Sequence, residues 1–359
     1  MDSRLDRWLE ILIDTEGSDL LLVPGAPACM LVEGSVRRME PAILTGDQIE
    51  EAVLPALSPH ALELYKNDQI ADSSYRIDGI GRFRINLHRE KGSAAAAIRA
   101  LPTRVPELSE LNLPPQVEAL AKLKRGLVLI GGPAGAGKST TLAALINQIN
   151  RDEARHVVII EDPIEYEHLH NRSVIEQVEI GTDAPDFPTA LRAALRQAPD
   201  IIVVGEMRDP ETMHIAVTAA ETGHLVLSTL HTTDVASTIS RVSDSFPPER
   251  QSTIRQELSM ALSAVLTQIL LPTMNDGGRI PAVELLMVGY GTRHHIRRNA
   301  LQHLHQEITM TKNQGSQTLE ESLAKLVVER KIYREEAMMR AIHPDDLQSL
   351  LKSLQQISA

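Results

Sequence analysis

The spacing of apolar residues changes several times within the first hundred positions. Residues 2–14 place apolar side chains at helical spacing, which predicts an amphipathic helix beginning at Asp2. Short apolar or alternating runs predict strands, and Thr45 and Ser58 are typical caps for two further helices. The predicted strands are Asp19–Val23, Ala28–Glu33, Ser35–Met39, Ala71–Ile77, Gly81–Arg89 and Ala94–Ala100, and the predicted helices are Thr45–Leu57 and Pro59–Asn67. This mixture predicts a small α+β domain over residues 1–100.

A proline-rich stretch follows at residues 101–116. Its four prolines disfavour a continuous helix or a central strand and predict an interdomain linker.

Apolar strand-like runs then alternate with helical patterns, which predicts a parallel sheet covered by helices and an α/β fold class. The predicted strands are Leu127–Ile130, Val157–Ile160, Ile201–Val204 and Leu225–Leu230, and the predicted helices are Thr140–Ile149, Phe187–Gln197 and Glu211–Thr222. We place this core at residues 117–290. Residues 291–359 form a polar helical region, with helices predicted at 319–329 and 334–342.

One loop in the core matches the phosphate-binding pattern G-x-x-x-x-G-K-[ST] at every fixed position. It lies between a predicted strand and a predicted helix, a context that favours a nucleotide loop over a chance glycine-rich turn. Glycines let backbone N–H groups approach phosphate oxygens, Lys138 should reach the β- and γ-phosphates, and Ser139 should bind Mg²⁺. The predicted nucleotide residues are Gly132, Pro133, Ala134, Gly135, Ala136, Gly137, Lys138, Ser139 and Thr140. The sequence therefore predicts ATP and Mg²⁺ as ligands.

Polar residues follow the other predicted core strands directly, and ligands gather at the carboxyl ends of parallel strands. Glu206 comes after four apolar residues, so we expect its carboxylate to be buried, which is costly unless a cation is nearby. The predicted metal ligands are Ser139, Glu206 and Glu161. Glu161, Asp162 and Glu165 follow another strand and read either as catalytic and metal-binding groups or as a solvated acidic loop.

Composition narrows the class of protein. The 359 residues carry a formal net charge of -12, which argues against nucleic acid as the main partner. A single cysteine, Cys29, excludes an internal disulfide and a cysteine-based zinc site. No apolar run approaches the roughly 20 residues that a membrane span needs, and the N-terminus is not typical of a signal peptide. We expect a cytoplasmic protein.

Together these motifs resemble the PilT family of secretion-type hexameric ATPases, which drive type IV pilus retraction. The similar stretches are GSDL (17–20), GRFRIN (81–86), the phosphate-binding loop, EDPIEY (161–166), ALRAALRQAPDIIVVGEMRD (190–209) and TAAETGHLVLSTLHTT (218–233). The resemblance implies a RecA-like ATPase core, a PAS-like N-terminal domain and a homohexamer with ATP between neighbours. It also implies a place at the inner membrane through a pilus platform protein, with a sister pilus ATPase as a further possible partner.

The resemblance also implies roles for individual residues. Glu165 would be the general base on the attacking water, and Glu206 the Walker B acid that holds Mg²⁺ through water. His224 and His231 would lie near the γ-phosphate, although His224 also reads as a structural histidine. The N-terminal arginines that could reach a phosphate from a neighbouring domain or subunit are Arg82, Arg84, Arg89 and Arg99. Alternatively, Arg82 and Arg84 lie on a solvated strand face, or they protect a sheet edge from pairing with another chain.

No arginine near the phosphate-binding loop within the core obviously completes the γ-phosphate shell, so we expect an arginine from a neighbouring subunit. The histidines at 294, 295, 303 and 305 invite a metal site, but no cysteine or clustered carboxylate is apparent beside them. We therefore predict a surface helix there.

The sequence departs from the family pattern at three places, which leaves the biological role of the ATPase open. Leu21 and Leu22 replace the usual histidine, Glu176–Glu179 replaces the usual Gln-Arg-Glu, and residues 295–301 only faintly resemble the family's C-terminal stretch. The alternatives to a retraction motor are a pilus-extension or type II secretion ATPase, a nucleic-acid translocase, and a non-hydrolysing partner subunit.

Overall fold

The structure, a computed structural model, describes residues 3–274 and 277–357. The predicted helix start at Asp2 and the end of the predicted helical region at residues 358–359 lie outside the described residues. The chain divides into two compact units. The first comprises the residues up to Arg104 with the stretches Asp162–Glu167 and Val178–Asp186. The second comprises Val105–Glu161, His168–Gln177 and the residues from Phe187 onward.

The first unit contains an antiparallel six-stranded sheet in the order β3-β2-β1-β6-β5-β4. Its elements are α1 (Arg4–Asp14), β1 (Asp19–Leu22), β2 (Pro27–Val32), β3 (Ser35–Ile43), α2 (Gly46–Val53), α3 (Pro59–Asp68), β4 (Ala71–Ile77), β5 (Gly81–Glu90) and β6 (Ser93–Ala100).

Every helix and strand predicted for this part of the chain is present. The capping expectation is confirmed, because the Thr45 and Ser58 side chains accept from the backbone N–H three residues on. Ser3 caps α1 in the same way. β3 runs four residues beyond its predicted end, and its Pro41 is tolerated because β3 is an edge strand. The apolar faces of the helices and the sheet form one largely aliphatic core, which also includes Trp8, Tyr65 and Phe83.

The second unit contains a seven-stranded sheet in the order β13-β12-β7-β11-β10-β8-β9. Its strands are β7 (Gly126–Gly131), β8 (His156–Glu161), β9 (Val174–Glu179, whose last two residues belong to the first unit), β10 (Ile201–Val204), β11 (Leu225–Leu230), β12 (Leu262–Pro272) and β13 (Arg279–Met287). Its helices up to β12 are α4 (Glu118–Ala121), α5 (Lys138–Asp152), α6 (Phe187–Ala194), α7 (Pro210–Glu221), α8 (Val235–Asp244) and α9 (Pro248–Ala261).

The run of strands from β12 through β7, β11 and β10 to β8 is parallel, and β13 pairs antiparallel with β12. The α/β fold class and the four predicted core strands are confirmed. β9, β12 and β13 were not predicted. β12 and β13 are long, mostly buried runs, for which periodicity alone does not distinguish a strand from a helix. β9 is short and mixes polar with apolar residues.

The C-terminal part is helical, with its own apolar cluster around Leu323 and Leu347. Its helices are α10 (Tyr290–Arg297), α11 (Leu304–Met310), α12 (Leu319–Val328), α13 (Arg334–Arg340) and α14 (Pro344–Ile357). Within the described ranges, no helix combines the length and apolar character that crossing a membrane requires.

Candidate nucleotide site

The phosphate-binding loop joins the carboxyl end of β7 to the first turn of α5. Gly132 has a φ of 152°, and a Cβ at this position would lie 2.6 Å from the carbonyl oxygen of Gln268. Gly137 caps α5 in the left-handed region, with a φ of 84°. Both positions require glycine, and the N-terminus of α5 gives the loop a partial positive charge that favours an anion.

Lys138 is buried inside the loop. Its Nζ donates to the carbonyl oxygens of Gly132 at 2.9 Å and Pro133 at 3.0 Å, and lies 3.3 Å from Nδ1 of His231. These carbonyls and the imidazole hold the ammonium in place. Ser139 and Thr140 follow in the first turn of α5 and are half-buried.

Gln268 on β12 holds the phosphate-binding loop through hydrogen bonds. This residue was not predicted from the sequence. Its Oε1 accepts from the Thr141 hydroxyl at 2.8 Å, and its Nε2 donates to the carbonyl oxygen of Ala136. The residue is 3% exposed, so the amide is committed to these partners. The sequence signal for this role is a glutamine within an apolar run, because a buried polar side chain normally has hydrogen-bond partners.

Glu206 and His231 meet at the same edge of the sheet, after β10 and β11. His231 Nε2 lies 3.3 Å from Glu206 Oε1, while Nδ1 of the same ring faces Lys138. Burial pushes the pKa of Glu206 upward, but the hydrogen bond and charge of Arg208, with the charges of His231 and Lys138, outweigh it and the pKa is lowered. Glu206 is therefore an anion at neutral pH, next to the phosphate-binding loop.

Arg208 lies beside Glu206, with its Nη2 2.8 Å from Glu206 Oε2. Its guanidinium is paired with that carboxylate, so the expectation that an arginine from a neighbouring subunit completes the γ-phosphate shell stays a prediction. The sequence signal for this contact is the position of Arg208, two residues after Glu206. Glu161 is also at this edge, because it ends β8, the parallel neighbour of β10, and its Cγ would lie 3.1 Å from a Cβ on Gly205.

The structure does not bring His224 to this group. β7 and β11 are parallel, and the carbonyl oxygen of His224 accepts from Gly126 N–H at the amino end of β7. His224 and His231 are thus separated by the length of β11, roughly 20 Å at the rise of a strand. The Nδ1 of His224 lies 3.0 Å from the carbonyl oxygen of Ala219, a structural contact at the end of α7. Within one subunit, the expectation that His224 lies near the γ-phosphate is wrong.

Glu165 belongs to the first unit, and its side chain is exposed. The backbone beside it is held by Glu179, whose Oε2 accepts from Ile164 N–H at 3.1 Å, and by Arg82, whose Nη1 donates to the Ile164 carbonyl oxygen at 2.8 Å. Arg82 and Glu179 also pair with each other at 2.8 Å, and Glu179 Oε1 accepts from the hydroxyls of Ser74 and Thr182.

The four candidate arginines therefore differ. Arg82 is largely buried and occupied by Ile164 and Glu179, contrary to the solvated face considered from the sequence. Arg89 is occupied by Glu50, Gln69 and the ring of Tyr65. Arg84 contacts Asp72 at 3.4 Å and Arg99 contacts Asp19 at 2.8 Å, and both guanidinium groups remain substantially exposed.

Glu284 on β13 is a second buried carboxylate that the sequence did not reveal. Its Oε2 accepts from Val235 N–H at 2.9 Å, at the start of the helix that follows the His231 loop. Burial raises the pKa of Glu284 to about 7, with further contributions from the charges of Asp234 and Glu320.

Comparison with known proteins gives a consistent result. The family described as "Type II/IV secretion system protein" matches residues 84–358. The Pseudomonas aeruginosa "Type IV pilus retractation ATPase PilT" is 39% identical over 329 residues, covering 92% of this chain and 95% of that protein. "Type IV pilus ATPase PilU" of the same organism is 35% identical over 347 residues, covering 97% and 91%. The crystal structure of the pilus retraction motor PilT with bound ADP superposes with a TM-score of 0.86 at 40% identity, covering 95% of this chain and 98% of that one.

Proposed function

The chain belongs to the type II/IV secretion system protein family, and we propose that it is an ATPase motor that hydrolyses ATP to drive retraction of a type IV pilus. The observation that carries this proposal is the group formed by Lys138, His231 and Glu206 beside a complete phosphate-binding loop. Relatives named as pilus ATPases match nearly the whole chain, which supports the same conclusion.

ATP would bind on residues 132–140, with Lys138 exchanging its loop carbonyls for phosphate oxygens. Mg²⁺ fits this edge, because the Ser139 hydroxyl and the Glu206 and Glu161 carboxylates are oxygen donors of the kind it prefers. When bound, the ion neutralises charge on the phosphates. His231 orients Glu206 relative to Lys138, and His224 has no place in this chemistry within the subunit.

Glu165 is the proposed general base, which orients and deprotonates the attacking water. Its side chain is exposed and therefore accessible to a ligand, and the backbone of the adjacent Ile164 is held by Arg82 and Glu179. Of the four arginines, Arg84 and Arg99 are the proposed contributors to a neighbour's phosphate, because their guanidinium groups are the more exposed.

We further propose that the motor is a homohexamer with ATP between subunits, located in the cytoplasm at the inner membrane through a pilus platform protein. Binding and hydrolysis would move the first unit relative to the second as rigid bodies, a common mode of switching. A sister pilus ATPase is a further proposed partner, because the chain is similar over 97% of its length to a second protein named as a type IV pilus ATPase.

Phosphate release by the purified full-length chain, combined with deletion of its gene, tests the proposal. We expect magnesium-dependent ATP hydrolysis, and hyperpiliated cells without twitching that recover with the wild-type gene but not with a Lys138→Ala variant. Bald cells would instead indicate an extension motor. Stimulation of hydrolysis by DNA would favour a translocase, and absence of phosphate release would favour a non-hydrolysing partner subunit.

A further inference from the structure

Three metal-ligand side chains from separate parts of the C-terminal region meet on one surface. His305 lies on α11, His343 directly precedes α14, and Asp346 lies in the first turn of α14. One ligand atom from each lies within 4.8 Å of the other two. His305 Nε2 and Asp346 Oδ2 are 3.1 Å apart, and the rings of His305 and His343 are 3.9 Å apart between centroids.

We propose that His305, His343 and Asp346 form a binding site for a divalent transition metal of the zinc type. Two imidazoles and one carboxylate are ligands that zinc accepts, and three protein ligands leave a fourth position for water. Magnesium is a poor candidate, because it prefers oxygen ligands in octahedral geometry. The site is therefore chemically distinct from the proposed Mg²⁺ position at the phosphate-binding loop.

The spacing is close to what coordination requires. Ligand atoms at the zinc–nitrogen and zinc–oxygen distances of about 2.0–2.2 Å lie roughly 3.3 Å from one another in a tetrahedral site. The distance between His305 and Asp346 is close to this value, and the ligand atom of the exposed His343 lies within 4.8 Å of both. The backbone of His343 is fixed, because its N–H and that of Ile342 donate to Oε1 of the buried Glu320.

The environment of the two rings also suits a cation. A metal ion binds imidazoles through their nitrogen lone pairs, so the close approach of the two rings suits a shared cation. Among the described residues, the buried Nδ1 of His305 has no hydrogen-bond partner, and Asp346 is the acidic contact of the opposite nitrogen. Nothing in these contacts commits the rings to another partner.

A metal here would join α11 to the first turn of α14. Leu347 follows Asp346 directly and belongs to the apolar cluster that holds α14 against α12. Binding would therefore stabilise the packing of α14. The site was not predicted from the sequence, because Asp346 is 41 positions from His305 and no carboxylate is apparent beside the histidines.

The test uses untagged full-length protein, stripped with a chelator and kept free of nucleotide. We expect dialysis against micromolar zinc to leave one zinc per subunit and to raise the melting temperature by a few degrees. Millimolar magnesium should neither compete nor stabilise. The variants His343→Gln and Asp346→Asn alter exposed side chains, so they should fold normally and lose both effects.

His303→Gln is the matched control, because His303 is an exposed histidine two positions from His305 and outside the cluster. It should retain zinc and the thermal shift. Zinc binding at one equivalent by the His343 and Asp346 variants, or no binding by the wild-type chain, would overturn the proposal. Both readouts are independent of ATP hydrolysis, so failure here leaves the proposed motor function untouched.

Discussion

His231 has two charged neighbours, one on each ring nitrogen. Its Nδ1 lies 3.3 Å from Nζ of Lys138, and its Nε2 lies 3.3 Å from Oε1 of Glu206. The imidazole ring therefore links the phosphate-binding lysine to the carboxylate proposed to hold Mg²⁺, and it fixes their separation.

Replacing His231 with alanine should lower the turnover number by about 100-fold, in line with the loss of one preorganised polar group. Affinity for a non-hydrolysable ATP analogue should change much less, since the loop itself remains. Phosphate-release kinetics and analogue binding measure the two quantities. His224→Ala is the control and should hydrolyse ATP normally. Equal losses in both variants would contradict the assignment.

Glu165→Gln should retain ATP but lower turnover by at least about 100-fold, because an amide cannot accept a proton from water. Lys138→Ala should lose nucleotide affinity instead. Glu249→Gln, an exposed carboxylate on α9, is the control and should leave the chemical step intact. If Glu165→Gln hydrolyses ATP at the wild-type rate, Glu161 becomes the next candidate for the base.

Glu284 predicts a pH dependence of stability. Its pKa in the folded protein is raised to about 7, so the folded state holds a proton that the unfolded state has already released above its ordinary pKa. The free energy of unfolding should therefore fall by about 3 kcal/mol between roughly pH 4.5 and 7 on this account, and stay level above that range.

The variant Glu284→Gln should lack this decline. Its amide oxygen still accepts from Val235 N–H, so its stability relative to wild type should improve as the pH rises through that window. Thermal unfolding of both proteins at several pH values gives the comparison, and Glu249→Gln, an exposed carboxylate, serves as control. Parallel pH curves for wild type and Glu284→Gln would show that the carboxylate is not protonated in the fold.

At the scale of elements, the segment Asp162–Glu167 depends on partners far away in the sequence. Both backbone polar groups of Ile164 are occupied, the N–H by Glu179 and the carbonyl by Arg82. Arg82, considered from the sequence as a phosphate ligand, instead positions the neighbour of the proposed base. Burial of this ion pair makes its two members interdependent.

Glu179→Ala should therefore destabilise the first unit by about 3 kcal/mol, since Arg82 loses its closer and more buried counter-ion and retains only Glu167 at 3.5 Å. It should also lower turnover while leaving ATP affinity nearly unchanged. A double variant, Arg82→Met with Glu179→Leu, should recover much of the stability but not the turnover, because Ile164 remains unsupported. Full recovery of both would reduce the pair to a structural role.

What the sequence could predict follows from how local each signal is. The phosphate-binding loop, its flanking strand and helix and the Thr45 and Ser58 caps are encoded within a few residues, and the structure contains all of them. Gln268, Glu284 and the cluster at His305 depend on contacts across many positions, which no local spacing reveals. His224 was misplaced because its motif gives its neighbours along the chain, whereas the direction of β11 decides which sheet edge it occupies.

For the whole molecule, the proposed hexamer predicts that active sites are shared. Arg84→Ala and Arg99→Ala should each lower turnover without loss of ATP binding, whereas Arg37→Ala, an exposed arginine on β3, should have little effect. Light scattering with a non-hydrolysable ATP analogue should give the mass of six subunits.

Mixing subunits distinguishes an arginine from the neighbour from one within the subunit. A Lys138→Ala chain supplies an intact arginine, and an arginine variant supplies an intact phosphate-binding loop. Randomly mixed rings should then regain activity at roughly a quarter of their interfaces. No recovery on mixing, with both parents inactive, would place the arginine in the same subunit as the ATP that it serves.

The three separate stretches that make up the first unit bear on how the chain is made. Arg82 leaves the ribosome long before its partner Glu179, which lies 97 positions later. At synthesis rates of roughly 5–20 residues per second, the arginine waits on the order of 5–20 s for its counter-ion. A nascent chain that ends near Arg104 would thus hold an unpaired guanidinium on β5. A truncated protein that ends near Arg104 would keep this guanidinium unpaired. An N-terminal fragment made for study should therefore include the chain through Asp186.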